Sequence, residues 1–187
     1  MREAGVAAPL FLELQDSAQV RAALVEGNLL QQRTDKSNRT MSRETANRLA
    51  TLDRDELELL VSGTAQERAH LMWVAASRTY ALICEFSEEV LRERFLLLKA
   101  QLVPADFDSF LRAKSLWHEE LNDLAESTRK KLRQNLFKML REAGLLSVDG
   151  HIVPAGLSHQ VSELLVRRDP AELRLFPITD ADIQRAM

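Results

Sequence analysis

Leucine and alanine recur at helical spacing along nearly the whole chain, with only short connections between the periodic stretches. That pattern leaves little room for a sheet. Aromatic positions are few beside the many Leu and Ala, with seven Phe, two Trp and one Tyr, and the balance favours helices over sheets. At 187 residues and 45% apolar content the chain can bury a substantial core, and disorder is not expected.

Local punctuation divides this pattern into elements. A first helix is expected over residues 2–14, disturbed near Pro9. A second starts after Asp16 or Ser17, keeps Val20, Leu24 and Val25 on one side and ends near Gly27. A third covers residues 36–51. Asp53 with Glu56, and Thr64 with Glu67, each place an acceptor at a helix start and a carboxylate three residues on, the spacing of a capping box. The second of these helices should run through Trp73 toward Cys84. Further helices are expected from Ser87 to Leu98, from Pro104 through Phe107, Phe110 and Leu111, in a short piece carrying Trp117, Leu121 and Leu124, and over residues 127–143 and 158–168. Beyond Asp169 and Pro170 the pattern is ambiguous.

Residues 127–143 carry the strongest functional signal. Ser127 reads as an N-cap, which puts Arg129, Lys130 and Lys131 near the positive end of the helix dipole, where carboxylates would be favoured. Selection for something other than folding would explain them, and free amides, dipole and basic side chains together suit a phosphate. At about 100° per residue, Leu132, Leu136, Met139, Leu140 and Ala143 share one arc, opposite Lys130, Lys131, Gln134, Lys138 and Arg141. With Arg129 and Arg133, and against Glu142, the segment has a net charge of +5 in a chain whose total is −3, so the remainder carries −8. Positive charge concentrated in this way is an electrostatic footprint for nucleic acid.

Gly144 is placed to end that helix, and Leu145 to Val148 and His151 to Val153 flank Asp149 and Gly150, a hairpin signal. Helix followed by hairpin is the order of a winged helix, with the helix in the major groove and the turn along the backbone. A second basic stretch, with Arg33, Lys36, Arg39, Arg43 and Arg48 against Asp35 and Glu44, has a net of +3 and follows a helix and turn. It reads as a second helix-turn-helix, with Ser37, Asn38, Arg39 and Arg43 toward a groove, or as a solvated helix face.

The expected fold is therefore all-α, a multi-helix body with helix-turn-helix elements and a small C-terminal β-hairpin wing. Three segments are expected: residues 1–62 as an N-terminal helical domain with the candidate helix-turn-helix, 63–115 as a central helical segment, and 116–187 as the winged-helix-like domain.

Enzymatic readings find no residues to rest on. His118 and Glu119 lack the second histidine a zincin needs, and the four histidines show no mutual metal spacing. No phosphate-cradling glycine loop or nucleophile elbow is present. Cys84 stands alone among apolar neighbours, which reads as a buried thiol in a reducing compartment. Neither catalysis, a metal nor a cofactor is expected. No stretch approaches a membrane span and no signal peptide is legible, so a cytoplasmic protein is expected.

The run Glu126-Ser127-Thr128-Arg129-Lys130-Lys131-Leu132, continuing through Leu140-Arg141-Glu142-Ala143-Gly144-Leu145, resembles a signature stretch of the BrxA family of BREX bacteriophage-defence systems. Upstream, Asn28-Leu29-Leu30-Gln31-Gln32-Arg33 resembles that family's Asn-x-Leu-Gln-x-Arg segment, and Arg48-Leu49 with Leu52 resembles the close of its next helix. The resemblance covers roughly residues 20–165. It implies a helical, DNA-binding, non-catalytic protein with helix-turn-helix elements and a wing. It also implies Arg129, Lys130 and Lys131 near phosphates, with a second contribution from Arg33, Arg39 and Arg43. The implied neighbours are an adenine-specific DNA methyltransferase, an alkaline-phosphatase-like protein and a large ATPase. Double-stranded DNA and other BREX components are the expected partners, contacted through the duplex backbone. The alternatives are a protein–protein adaptor without DNA contact and a transcriptional repressor. The sequence does not specify the oligomeric state.

Overall fold

A computed structural model describes residues 2–187 as helices in two compact units, the chain dividing between Tyr80 and Ala81. In the first unit, α1 (Arg2–Leu14) buries Ala4, Ala7, Ala8 and Phe11, the spacing of a single helical stripe, and packs on the three helices that follow. Pro9 is accommodated within it, its exposed side facing solvent. α2 (Ser17–Glu26) is capped by Asp16, whose carboxylate accepts the amides of Ala18 and Gln19. α3 (Asp35–Leu49) is capped by Thr34. α4 (Arg54–Ser62) and α5 (Ala65–Thr79) begin at the two expected capping boxes, both complete. α5 is buried on nearly every side, with Leu71, Trp73, Val74, Ala75 and Ala76 at 2% exposure or less.

α5 ends at Tyr80, an extended residue, so the expected continuation to Cys84 is a separate helix, α6 (Ala81–Phe86). In the second unit a π-helical stretch (Ser87–Arg92) leads into α7 (Glu93–Leu96). α8 (Pro104–Lys114) and α9 (Glu126–Glu142) follow, then α10 (His159–Arg168), a 3-10 turn (Pro170–Leu175) and α11 (Asp180–Ala186). Phe86 anchors this core, edge-on to Phe110 at 5.3 Å and tilted on Phe107 at 6.0 Å. The C-terminal stretch, ambiguous in the sequence, buries Leu173, Leu175, Phe176 and Ile178 and packs against the π-helical stretch and α10.

The β-hairpin wing is not formed. Among the described residues there is no strand and no sheet, only two isolated antiparallel bridges, Leu146 with Ile152 and Gln101 with His151. The reason lies in the turn. A type I′ hairpin needs positive φ at both Asp149 and Gly150, but only Gly150 has it, at 83°. The chain instead closes from Ser147 to Gly150, and only two bonds cross the turn, Ser147 N–H to the His151 carbonyl and Val153 N–H to that of Leu145; the opposite edge bonds to the segment before α8, with Leu102 N–H donating to Gly150 and Ile152 N–H to Ala100. Pro154, lacking an N–H, then stops any extension. The short helix expected around Trp117 is also reduced to a 3-10 turn (Glu119–Leu121), and Trp117 is 86% exposed.

Candidate nucleic-acid interface

α9 begins at Glu126 behind an Ala125 N-cap that makes no side-chain hydrogen bond, so Ser127 is not the cap. This shift changes the electrostatics. A carboxylate occupies the first turn, where the dipole favours it, and Arg129, Lys130 and Lys131 fall in the second, where the dipole term has largely faded. The expected conflict between first-turn cations and the dipole is therefore absent. At the other end Gly144, with φ of 72°, closes a Schellman motif: its N–H donates to Arg141 and that of Leu145 to Leu140.

The two faces of α9 separate as the spacing requires. Leu136, Phe137, Leu140 and Ala143 are buried, while Lys130, Lys131, Gln134, Lys138 and Arg141 are exposed. Lys130, Lys131 and Arg141 form no ion pair among the described residues. Lys138 makes only a loose surface pair with Glu142 at 3.6 Å, the kind that contributes little. The remaining two candidates serve the fold instead. Arg129 donates to the carbonyls of Leu121 (3.2 Å) and Asn122 (3.0 Å), pinning the segment before α9. Arg133 is paired with Asp108 of α8. Between α8 and α9 lies a groove of about 590 Å³ whose lining mixes Arg112, Lys130 and Arg133 with Asp108 and Glu126.

In the first unit Arg33, Lys36, Arg39 and Arg43 are all exposed. Asn38, expected to face a groove, is instead 6% exposed and donates to the Val25 carbonyl at 2.8 Å, fastening the start of α3 to the end of α2. Asn28 has a similar duty. In the left-handed region at φ of 41°, its side chain accepts from Gln32 N–H at 2.9 Å and donates to the Gln32 carbonyl at 3.0 Å, closing the loop between the two helices. Arg43 pairs with Glu44 at 3.0 Å. Glu44 also accepts from the Tyr80 hydroxyl, which holds its carboxyl below the usual range, with Arg43 adding to the effect. Arg21, on α2, is the residue the sequence did not single out. It lines the same groove as Arg39 and Arg43, and its only sequence signal is its register with Ala18, Ala22 and Val25.

No group of His, Cys, Asp and Glu among the described residues could hold a metal ion. Burial pushes the Cys84 thiol up, and Glu88 and Glu85 add to the shift, the reverse of what a nucleophile needs. No described helix is long and apolar enough to cross a membrane.

A family model for BrxA matches residues 1–169 of this sequence. The chain belongs to the BrxA family. The BREX protein BrxA of Escherichia coli O9:H4 (strain HS) is 26% identical over 184 residues, 98% of this chain and 79% of that protein. The BREX protein BrxA of Bacillus cereus (strain H3081.97) is 26% identical over 128 residues, 68% of this chain and 64% of its own. The BrxA of Paramagnetospirillum magneticum (strain ATCC 700264 / AMB-1) is 25% identical over 145 residues, 78% of this chain and 73% of that one. A crystal structure of an uncharacterized protein from Magnetospirillum magneticum shares the fold, with a TM-score of 0.77 at 23% identity, covering 93% of this chain and 90% of that one. The α9 stretch and the Asn28 loop both lie within the part of the chain that the BrxA model spans.

Proposed function

We propose that this BrxA-family protein is a non-catalytic DNA-binding component of a BREX phage-defence system, gripping duplex backbone with little sequence preference. Its relatives carry the name BREX protein BrxA, which supports membership of such a system and, with it, other BREX components as partners. The DNA reading rests on one observation: Lys130, Lys131 and Arg141 share an exposed helix face with Lys138, and three of the four have no carboxylate partner among the described residues. Gln134 is the one uncharged polar side chain among the five candidates on that face, so phosphate contacts dominate over base contacts. Arg33, Lys36, Arg39 and Arg43 supply the second contribution.

Charge reversal tests this reading. Lys130→Glu with Lys131→Glu is expected to weaken binding of a random-sequence duplex at least about tenfold in a mobility-shift titration while leaving the thermal midpoint within about 2 °C, because both side chains are exposed. Unchanged affinity contradicts the proposal. A strong operator preference over bulk DNA would favour a repressor instead.

A second reading is favoured by the segment between α8 and α9. There Leu116 (78% exposed) and Trp117 (86% exposed) stand beside Glu119, Glu120 and Asp123, a surface suited to a protein with a basic rim and unsuited to phosphate. Trp117→Ala is expected to leave duplex affinity unchanged within twofold. If the adaptor reading holds, that variant loses partner capture from nuclease-treated lysate and the wild-type chain shifts no DNA.

A further inference from the structure

Along α2, Ala18, Arg21, Ala22 and Val25 are spaced at three and four residues, so they share one face; along α3, Arg39, Thr40 and Arg43 do the same. These seven residues line a groove of about 430 Å³. Two properties set it apart. Its lining holds three arginines and no carboxylate, whereas the groove between α8 and α9 carries Asp108 and Glu126, and the one beside α10 and α11 carries Glu163 and Asp182. Its α2 wall, apart from Arg21, consists of Ala18, Ala22 and Val25, small or apolar side chains that leave room and offer nothing to pair with the guanidiniums.

Three like charges around one groove repel one another, and the fold holds them there by means independent of their charge. Asn38 fastens α3 to α2 through the Val25 carbonyl, and Asp16 and Thr34 cap the two helices. Arg21 and Arg39 form no ion pair among the described residues. Arg43 has Glu44 beside it, but that carboxylate also accepts from the Tyr80 hydroxyl. The groove thus keeps an unneutralised positive charge over an apolar strip.

We propose that this groove is a phosphodiester-binding site in its own right, with Arg21 as a contact residue alongside Arg39 and Arg43. The guanidiniums would take phosphate oxygens, for which their forked donors are suited, and the Ala18, Ala22 and Val25 strip would lie against sugar. This deepens the DNA-binding reading by adding a grip in the first unit that does not depend on α9.

The test measures Kd of the full chain for a labelled random-sequence 30-bp duplex by anisotropy across a salt series. It compares wild type, Arg21→Gln, Arg21→Lys, and Lys130→Gln with Lys131→Gln. Removing one phosphate interaction should lower the slope of log K against log[salt] by about 0.9. The expected result is a slope lowered by about that amount in Arg21→Gln and retained in Arg21→Lys. An Arg21→Gln slope equal to wild type overturns the site, and marks these arginines as a solvated or protein-facing surface. If that happens while the α9 variant loses slope, the α9 reading survives alone. If Arg21→Gln loses slope and the α9 variant does not, the site stands and the α9 reading falls. A wild-type chain that binds no duplex overturns both. Inorganic phosphate in one arm, at constant ionic strength, separates the sources of the ligand. Competition by millimolar phosphate assigns the groove to the free ion and contradicts a backbone site, whereas no competition supports it.

Discussion

Several polar side chains that looked available for recognition are committed to structure. Asn38 ties two helices together through Val25, so Asn38→Ala removes that tie, although Asn28 N–H still bonds the same carbonyl at 3.1 Å, and is expected to lower stability by about 1 kcal/mol, read from urea midpoints, with no change in DNA sequence preference. Arg129 and Arg133 were legible as cations but not as fasteners, because their partners, the Leu121 and Asn122 carbonyls and Asp108, are set by the path of the preceding segment and by α8. Tyr80 and Glu44 give a pH-dependent prediction. The Tyr80 hydroxyl, above all, holds the Glu44 carboxyl below its ordinary value, so the stabilisation is present above the unfolded carboxylate range and is lost as pH falls through the lowered folded value. Tyr80→Phe is accordingly expected to cost about 1–2 kcal/mol at pH 7, and the gap from wild type should close in acid as Glu44 protonates in both proteins.

Elements with local punctuation are legible in the sequence. Asp53 with Glu56 and Thr64 with Glu67 form the capping boxes their spacing implies, and Gly144 ends α9 in the left-handed conformation expected of it. Elements that local punctuation does not settle are not. α5 stops at Tyr80 without glycine or proline to announce it, and around Asp149 and Gly150 no strand ladder develops, because Asp149 lacks the positive φ of a type I′ turn and pairing across the turn stops at two bonds. α9 starts two residues earlier than its spacing suggests, enough to take the cations out of the first turn while leaving the exposed face intact. A capping residue also carries a second load that spacing could not reveal. Glu56, fully buried, caps α4 and receives both terminal nitrogens of Arg78 at 2.7 Å. Glu56→Ala removes the carboxylate from a nearly buried guanidinium, which keeps its bond to the Thr51 carbonyl, and is expected to destabilise the first unit by roughly 3 kcal/mol, measured by chemical denaturation.

Neither unit is basic as a whole. The first, through Tyr80, holds 10 Lys and Arg against 11 Asp and Glu, and the second 15 against 17. Affinity for a polyanion must therefore come from local patches rather than from net charge, and the candidate residues of α9 and of α2 with α3 are such patches. This makes the salt dependence of binding the most direct test of the DNA-binding proposal. Four exposed α9 cations, Lys130, Lys131, Lys138 and Arg141, predict a slope of log K against log[salt] of about −3.6 on a random-sequence duplex, steeper once the first unit contributes. A slope shallower than about −1, or no measurable binding at low salt, would contradict it.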